Sequence, residues 1–162
     1  MADSAKLLIV GDGPVTDALT AMVSVLGWPV SVTSTAPTIG PDVDAVVITS
    51  HHEDVDGPAI RSALAAGTRY IGAMGSRRTQ QRRREWLLAD GVTETALAGL
   101  HAPIGLDIGA DQPAEIAVSI LAEVVAVRSG RLAATSAVSS IGDRDGAIHP
   151  ELAPGEATCP GG

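Results

Sequence analysis

The first regular pattern in the chain is a short apolar run followed by an amphipathic stretch. Residues 6–10 are almost continuously apolar and stop at a glycine, which predicts a parallel strand buried on both faces. From Pro14 onward, apolar residues recur at helical spacing until Gly27, and a proline suits the first position of a helix. The pattern therefore predicts a strand that passes through a glycine-rich turn into a helix.

Strands and helices continue to alternate along the chain. Residues 30–33 and 45–49 are predicted as two further buried strands, and residues 69–72 as a fourth. Helices are predicted for residues 58–66, for the strongly charged segment 77–89 and for 113–128, which has the clearest apolar stripe. This alternation predicts an α/β fold, a Rossmann-like doubly wound parallel sheet in a three-layer α/β/α arrangement. We expect about five strands in the order 3-2-1-4-5.

The periodic pattern fades near Ser129. Serine, glycine and proline are frequent in the remaining residues, which end in Thr-Cys-Pro-Gly-Gly. We therefore predict one domain over residues 1–130 and a flexible C-terminal tail over residues 131–162.

Charge and composition exclude several classes of protein. The net charge of −8 and the pI near 4.8 argue against nucleic acid and anionic membranes as partners, because both attract a basic surface. Cys159 is the single cysteine, which excludes an internal disulfide and fits a reducing compartment. No apolar run reaches the length of a membrane span, and the first residues do not resemble a signal peptide. We expect a cytoplasmic protein that binds a small ligand or another protein.

Residues 11–16 lie where a dinucleotide-binding fingerprint is expected. Gly11, Gly13 and Pro14 allow a tight turn and let a phosphate approach the helix amides, but the third position, normally glycine or alanine, is Thr16. The second predicted strand ends in hydroxyl residues with no acid for a ribose, and Asp12 places negative charge beside the expected phosphate. Binding of NAD(P) is disfavoured, and two interpretations stay open: a phosphate loop, or a turn that only closes the fold.

A second glycine-rich turn follows the fourth predicted strand and opens the charged helix. Gly72, Gly75 and Ser76 precede Arg77 and Arg78, and five of the 11 basic residues fall within these few turns. Glycine amides, a helix N-terminus, a hydroxyl and guanidinium groups together favour an anion such as phosphate. In the expected strand order the first and fourth strands are neighbours, which would place both turns at one switch point. The next arginines, which we expect on a solvated helix face, are Arg82, Arg83 and Arg84.

Polar residues also follow the third predicted strand and precede the last helix. His51 leaves the carboxyl end of the third strand, where it can contact a ligand. Adjacent histidines point in opposite directions on an extended chain, so a metal site with His52 is disfavoured. Segment 101–110 has the composition of a shaped ligand loop, and its candidates are His101, Pro103, Gly105 and Asp107.

Two of these motifs resemble the signatures of a known family. The run from His101 to Glu123 and the segment from Tyr70 to Arg78 are similar to the two long signatures of the XdhC/CoxI family, and Ser50-His51 with Asp56 resembles a weaker third. The resemblance covers about residues 6–130. It implies an XdhC-type Rossmann domain over residues 1–130 that binds molybdenum cofactor (molybdopterin), protects it, supports its sulfuration and delivers it to xanthine and carbon monoxide dehydrogenases.

Members of this family usually have an additional N-terminal domain with a cysteine-containing cofactor loop. The present chain begins almost at its first predicted strand. We therefore expect either that a separate partner chain supplies this domain or that the chain has kept the fold and lost the activity. A homodimer is a further alternative. The other function classes are an NAD(P)-dependent oxidoreductase and a non-catalytic nucleotide-binding or interaction module. We expect an accessory factor rather than an enzyme, with no catalytic residue and no metal ligand assigned.

The expected ligand contacts lie on both glycine turns, with the main anion contact on the second. Loss of Arg77 or Arg78 is expected to weaken binding about 10- to 100-fold, whereas loss of Arg83, further along the helix, should change almost nothing. Gly13→Val should block a phosphate. The predicted cofactor-binding residues are Gly11, Gly13, Pro14, His51, Gly72, Gly75, Ser76, Arg77, Arg78, His101, Pro103, Gly105 and Asp107.

Overall fold

A computed structural model describes residues 4–132 of the chain. All but the first two residues of the predicted tail, 131–162, lie outside this range, so the tail remains a prediction. Within residues 4–132, no helix is both long and apolar enough to cross a membrane.

The described chain alternates strands and helices as the sequence predicts, with two additional short elements. In chain order they are β1 (Leu7–Val10), α1 (Pro14–Val25), β2 (Val30–Thr33), β3 (Ala45–Ile48), α2 (Glu53–Ala65), β4 (Tyr70–Ala73), α3 (Arg77–Ala89), α4 (Glu94–Leu97), β5 (Leu100–His101) and α5 (Pro113–Arg128).

All five strands described are parallel, but their order differs from the expected one. The sheet runs β2-β1-β3-β4-β5, so β1 lies between β2 and β3 and does not touch β4. The predicted order 3-2-1-4-5 is therefore wrong, and the switch point lies between β1 and β3. The physical reason is burial: β3 is Ala-Val-Val-Ile with every residue buried, which suits the interior of a sheet, whereas β2 carries a polar residue at every second position.

The strand β2 is consequently not the buried strand that we expected. It forms one edge of the sheet, and Val32 is 48% exposed. Its neighbour β1 pairs with it on one side and with β3 on the other, and Val10 lies level with both Thr33 and Ile48. Because Ile48 is in turn level with Ala73, strands β1 to β4 all end at the same height. The loops that follow them start at a common edge.

Two apolar clusters, one on each face of the sheet, confirm the three-layer arrangement. One cluster packs α1 and α5 against the sheet and includes Leu19 and Ile120. The other packs α2 and α3 against the opposite face and includes Ile60 and Leu87. The apolar stripe predicted for the last helix is thus buried against the sheet and α1.

Helix α2 begins earlier than predicted. Its first residue is Glu53, and Pro58 lies inside the helix rather than at its first position. Proline alone is a good signal for a helix start, but here three acidic residues occupy the first turn, where they interact favourably with the helix dipole. The earlier start places Asp56 within the helix and buries it.

Candidate functional site

The candidate site lies at the carboxyl edge of the sheet, where the loops after β1, β3 and β4 meet. The loops begin with backbone bonds that continue the sheet: the Gly11 amide donates to the Thr33 carbonyl at 2.8 Å, and the Thr49 amide donates to the Val10 carbonyl at 2.9 Å. The Met74 amide donates to the Ile48 carbonyl at 2.9 Å. The second glycine turn therefore adjoins the loop of β3, and β3 separates it from the first turn.

The two glycines of the first turn have different roles. A Cβ added to Gly11 would lie 2.3 Å from Thr49 Oγ1 and 2.4 Å from the Ser50 amide nitrogen, so this glycine allows β1 and β3 to approach closely. Gly13, with φ of 97°, would place a Cβ in open space and leads directly into Pro14, the first residue of α1. Of the two, only Gly13 faces a space that a ligand could occupy.

Thr16 occupies the position where the fingerprint has a small residue. Its side chain is buried, and its hydroxyl oxygen lies 2.8 Å from that of Thr49, whose hydroxyl also donates to the Val10 carbonyl. The departure from the fingerprint is thus a polar link between α1 and the end of β3. Local sequence around Thr16 gives no signal of this link, because its partner lies 33 residues away along the chain.

The second glycine turn is held in place by helix α3. The Ser76 hydroxyl accepts a bond from the Thr79 amide at 3.3 Å and caps the helix. Gln80 donates through Nε2 to the Ala73 carbonyl at 2.9 Å, and a Cβ on Gly75 would lie 2.9 Å from Thr79 Cγ2. Bonds and contacts from the first turn of α3 therefore hold the turn in this shape.

Arg83 is not solvated, which corrects our expectation for this residue. It is 5% exposed, and its guanidinium pairs with Asp56 of α2 at 2.6 Å between Nη2 and Oδ2. It also donates through Nη1 to the Met74 carbonyl at 3.1 Å and to Gln80 Oε1 at 2.6 Å. A buried charge requires such a partner, and the earlier start of α2 provides it. Arg83 therefore joins α2, α3 and the second glycine turn.

The other arginines of α3 are exposed. Arg82 pairs with Glu53 at 2.8 Å, and Arg84 pairs with Glu94; both arginine side chains are about half exposed, as expected for a solvated helix face. Arg77 and Arg78 lie in the first turn of α3 and are exposed. Arg78 makes no ion pair with any residue of the described range 4–132.

His51 and His52 are both exposed between β3 and α2. The His52 amide donates to the Ser50 hydroxyl at 3.1 Å, which fixes the start of α2. His51 and Thr79 line a common cleft, so the loop of β3 reaches the first turns of α3. Among residues 4–132, no three histidine, cysteine or acidic side chains lie close enough together to hold a metal ion.

Segment 101–110 is organised by a buried carboxylate that the sequence did not single out. Glu123 of α5 is fully buried and accepts bonds from the Tyr70 hydroxyl at 2.6 Å and from the Gly105 amide at 2.8 Å. His101 Nδ1 lies 3.2 Å from Glu123 Oε1, and its ring stacks on that of Tyr70 at 4.7 Å. Burial and the negative charge of Glu123 raise the pKa of Tyr70 well above its usual value.

The predicted contacts of this segment therefore divide into an inner and an outer set. His101 is 2% exposed, and a Cβ on Gly105 would lie 2.5 Å from Ser119 Oγ, so both residues belong to the interior. Gly72 is also interior, because a Cβ there would lie 2.6 Å from Ile104. Pro103 is half-buried and Asp107 is exposed, so these two can face a ligand.

The predicted site residues thus lie at or near the carboxyl edge of the sheet, but some are buried in the interior and others are accessible to a ligand. The interior members shape the loops, and the members that a ligand can reach are Gly13, Pro14, His51, Gly75, Ser76, Arg77, Arg78, Pro103 and Asp107. Residues that the sequence did not indicate, but that contact the predicted site residues or their loops or share a cleft with them, are Thr49, Gln80, Trp86 and Glu123. The available signal for Glu123 in the sequence was an acidic residue within the otherwise apolar stripe of the last predicted helix.

Comparison with known proteins agrees with the fold and the motifs. The XdhC Rossmann domain family matches residues 7–124. The chain is 29% identical over 150 residues to an uncharacterized protein, YqeB, of Escherichia coli K12, covering 76% of this chain and 27% of that protein. It is 34% identical over 91 residues to a protein of Bacillus subtilis 168 named as a probable xanthine dehydrogenase subunit, covering 52% of this chain and 24% of that protein.

Two further relatives carry informative names. The molybdenum cofactor insertion chaperone PaoD of Escherichia coli K12 is 33% identical over 84 residues, covering 52% of this chain and 26% of PaoD. A crystal structure of a xanthine dehydrogenase from Bacillus halodurans superposes with a TM-score of 0.63 at 28% identity, covering 85% of this chain and 46% of that one. The chain thus spans about a quarter of the length of these curated relatives. From its motifs, its fold and this match, the chain belongs to the XdhC Rossmann domain family.

Proposed function

We propose that this chain binds molybdenum cofactor, or the nucleotide part of an extended form of it, and assists its delivery to molybdenum hydroxylases of the xanthine and carbon monoxide dehydrogenase type. Membership of the XdhC family supports this role, and so does the likeness to PaoD, which is named as a molybdenum cofactor insertion chaperone. The observation that carries the proposal is the second glycine turn, which lies at the sheet edge, is braced by Gln80 and Arg83, and leads into the exposed Arg77 and Arg78.

In this proposal the phosphate of the cofactor binds at the start of α3. Its oxygens accept bonds from the amides of the turn and from the exposed guanidiniums of Arg77 and Arg78. Arg78 supports this assignment because it makes no ion pair within residues 4–132, although the chain carries a net charge of −8. Gln80 and Arg83 keep the turn in its binding shape from behind.

The first glycine turn contributes less to binding. Asp12 is exposed there and repels an anion, although Gly13 leaves open space in front of α1. At the end of β2 the Thr33 hydroxyl interacts with the backbone and hydroxyl of Thr35, and residues 31–36 contain no acid for a ribose diol. These features disfavour an NAD(P)-dependent oxidoreductase.

The chain acts in the cytoplasm in this proposal, together with the apoenzyme of a molybdenum hydroxylase. In one arrangement of this proposal, a separate partner chain supplies the N-terminal domain that is usual in the family. Assembly as a homodimer is a second arrangement, and the two are separated by measuring the mass of the particle with and without the partner.

The test is reconstitution of a cofactor-free molybdenum hydroxylase with free molybdenum cofactor, with and without the chain. We expect the chain to raise the fraction of hydroxylase that becomes active, and we expect binding titrations to rank molybdenum cofactor above NADH and NADPH. Tighter binding of NADH with turnover of a substrate would favour the oxidoreductase instead. Capture of a hydroxylase polypeptide without binding of any of these ligands would favour a non-catalytic interaction module.

A further inference from the structure

A cleft lies between α2 and α3, directly beside the second glycine turn. It is partly open to solvent. The Glu53–Arg82 ion pair connects the two helices at exposed positions along it. The other residues that line it are His51, Asp56, Gly57, Thr79, Arg83 and Trp86.

Two buried polar atoms of the residues lining this cleft have no hydrogen-bond partner within the described residues 4–132. They are Oδ1 of Asp56 and Nε of Arg83, on side chains that are 5% and 3% exposed. A carboxylate and a guanidinium often meet through two parallel bonds, but here only Oδ2 and Nη2 are bonded. Buried polar atoms nearly always have a partner, so these two atoms favour a polar group that bonds to both.

The chemistry of the two atoms defines what can bind. Oδ1 accepts a hydrogen bond and Nε donates one, and the charges of the pair cancel. The complement is an uncharged edge with an N–H beside a C=O, which is the lactam edge of a heterocyclic ring. Trp86 supplies an apolar wall: its six-membered ring packs against Gly57, and the residue is 39% exposed.

We propose that the α2–α3 cleft binds the lactam edge of the ring whose phosphate occupies the second glycine turn. The two positions are continuous, because the Ser76 hydroxyl that caps α3 lies 3.1 Å from the hydroxyl of Thr79 in the cleft. This inference rests on the proposed function for the phosphate end. Both unpartnered atoms are buried, so in this proposal the cleft opens on binding, and the exposed Glu53–Arg82 pair across it separates.

Guanine and pterin rings share this lactam edge, and the test separates the two sources. The chain has two tryptophans, and Trp28 lies on the opposite face of the sheet, beneath Arg128. The variant Trp28→Phe therefore leaves Trp86 as the only tryptophan to report on the cleft. This variant is titrated with guanosine 5′-monophosphate (GMP), with adenosine 5′-monophosphate (AMP), which carries the same phosphate but no lactam, with inorganic phosphate, and with pterin, which has no phosphate.

We expect GMP to change the fluorescence of Trp86 saturably and AMP to bind at least about 10-fold more weakly, since two hydrogen bonds are lost. Tighter binding of GMP than of AMP and inorganic phosphate would identify guanine as the accepted ring. Binding of pterin, which has no phosphate, would identify the pterin ring. Opening the mouth by Arg82→Gln in the same background should strengthen GMP binding, and Arg84→Gln is the matched control. If GMP and AMP bind equally well and pterin does not alter Trp86 fluorescence, the ring site is refuted.

The phosphate arm separates this result from the proposed function. Binding of inorganic phosphate, GMP and AMP with equal affinity and no change at Trp86 would leave the phosphate site standing and overturn the ring site. A response of Trp86 to pterin without any binding of phosphate would support the ring site and overturn the phosphate site.

Discussion

The buried Asp56–Arg83 pair gives the most quantitative prediction of the structure. Arg83→Met keeps much of the side-chain length but removes the charge and three hydrogen bonds, to Asp56, to the Met74 carbonyl and to Gln80. It leaves the Asp56 carboxylate, on a residue that is 3% exposed, without a cation. The substitution therefore destabilises the fold mainly because the buried Asp56 carboxylate loses its cation.

The expected loss in the free energy of unfolding is large for a single substitution in α3. Breaking a buried ion pair by removing one partner costs about 3 to 5 kcal/mol, and the whole stability of a domain is about 5 to 15 kcal/mol. For a domain of this size the loss corresponds to a fall in Tm on the order of 10 to 20 °C. Exposed pairs contribute about 0 to 1 kcal/mol, so Arg82→Met and Arg84→Met should change Tm very little.

The assay is urea unfolding followed by circular dichroism, with thermal scans of the same variants. Adding Asp56→Asn to Arg83→Met removes the uncompensated charge and should recover part of the lost stability. If the free energy of unfolding of Arg83→Met lies within about 1 kcal/mol of the parent and matches that of Arg84→Met, Arg83 is solvated in solution and the link between α2, α3 and the second glycine turn is absent.

Three further predictions concern the edge of the sheet and the interior. Gly13→Ala places a Cβ in open space and should lower the free energy of unfolding by about 1 to 3 kcal/mol through backbone strain. Gly11→Ala adds a clash with Thr49 and should cost roughly 1 to 3 kcal/mol more. Equal unfolding curves for the two variants would contradict this. Because the pKa of Tyr70 is raised in the fold, the unfolded chain releases this proton first, so stability should fall as the pH rises past about 10. Tyr70 is the only tyrosine, so near-ultraviolet tyrosinate absorbance measures it directly, and ionisation before unfolding would refute the burial. Glu123→Gln weakens the acceptor for the Gly105 amide and should speed its hydrogen exchange at a cost of about 1 to 3 kcal/mol, while unchanged exchange would show that Glu123 does not hold the loop.

The sequence predicts most of the elements because their periodicity is strong, but not the order of the strands. The clue to that order was present in composition: the alternating Val-Ser-Val-Thr of β2 is typical of an edge, and the continuous Ala-Val-Val-Ile of β3 is typical of the interior. The fifth strand has only two residues and α4 only four, too short for any periodic pattern.

The site was predictable only where residue type alone determines the role. The glycine turns follow from local chemistry, and the structure places them at the expected edge of the sheet. The Ser76 hydroxyl, which the sequence assigned to the anion site, caps α3 instead. The burial of Arg83 depends on Asp56, which lies 27 residues away along the chain, and local patterns cannot reveal such pairs. The same holds for His101, which the sequence placed among ligand contacts and which pairs with Glu123 in the interior.

The most direct test of the proposed function is a calorimetric titration of molybdenum cofactor into the parent chain, Arg78→Ala and Arg84→Ala. Both arginines are exposed on α3, but only Arg78 lies in its first turn, and Arg84 is paired with Glu94. We predict that Arg78→Ala weakens binding about 10- to 100-fold, since a charge-assisted bond to phosphate contributes about 1.5 to 3 kcal/mol, and that Arg84→Ala binds like the parent. Equal affinities for the three proteins would contradict the assignment of the second glycine turn as the phosphate site.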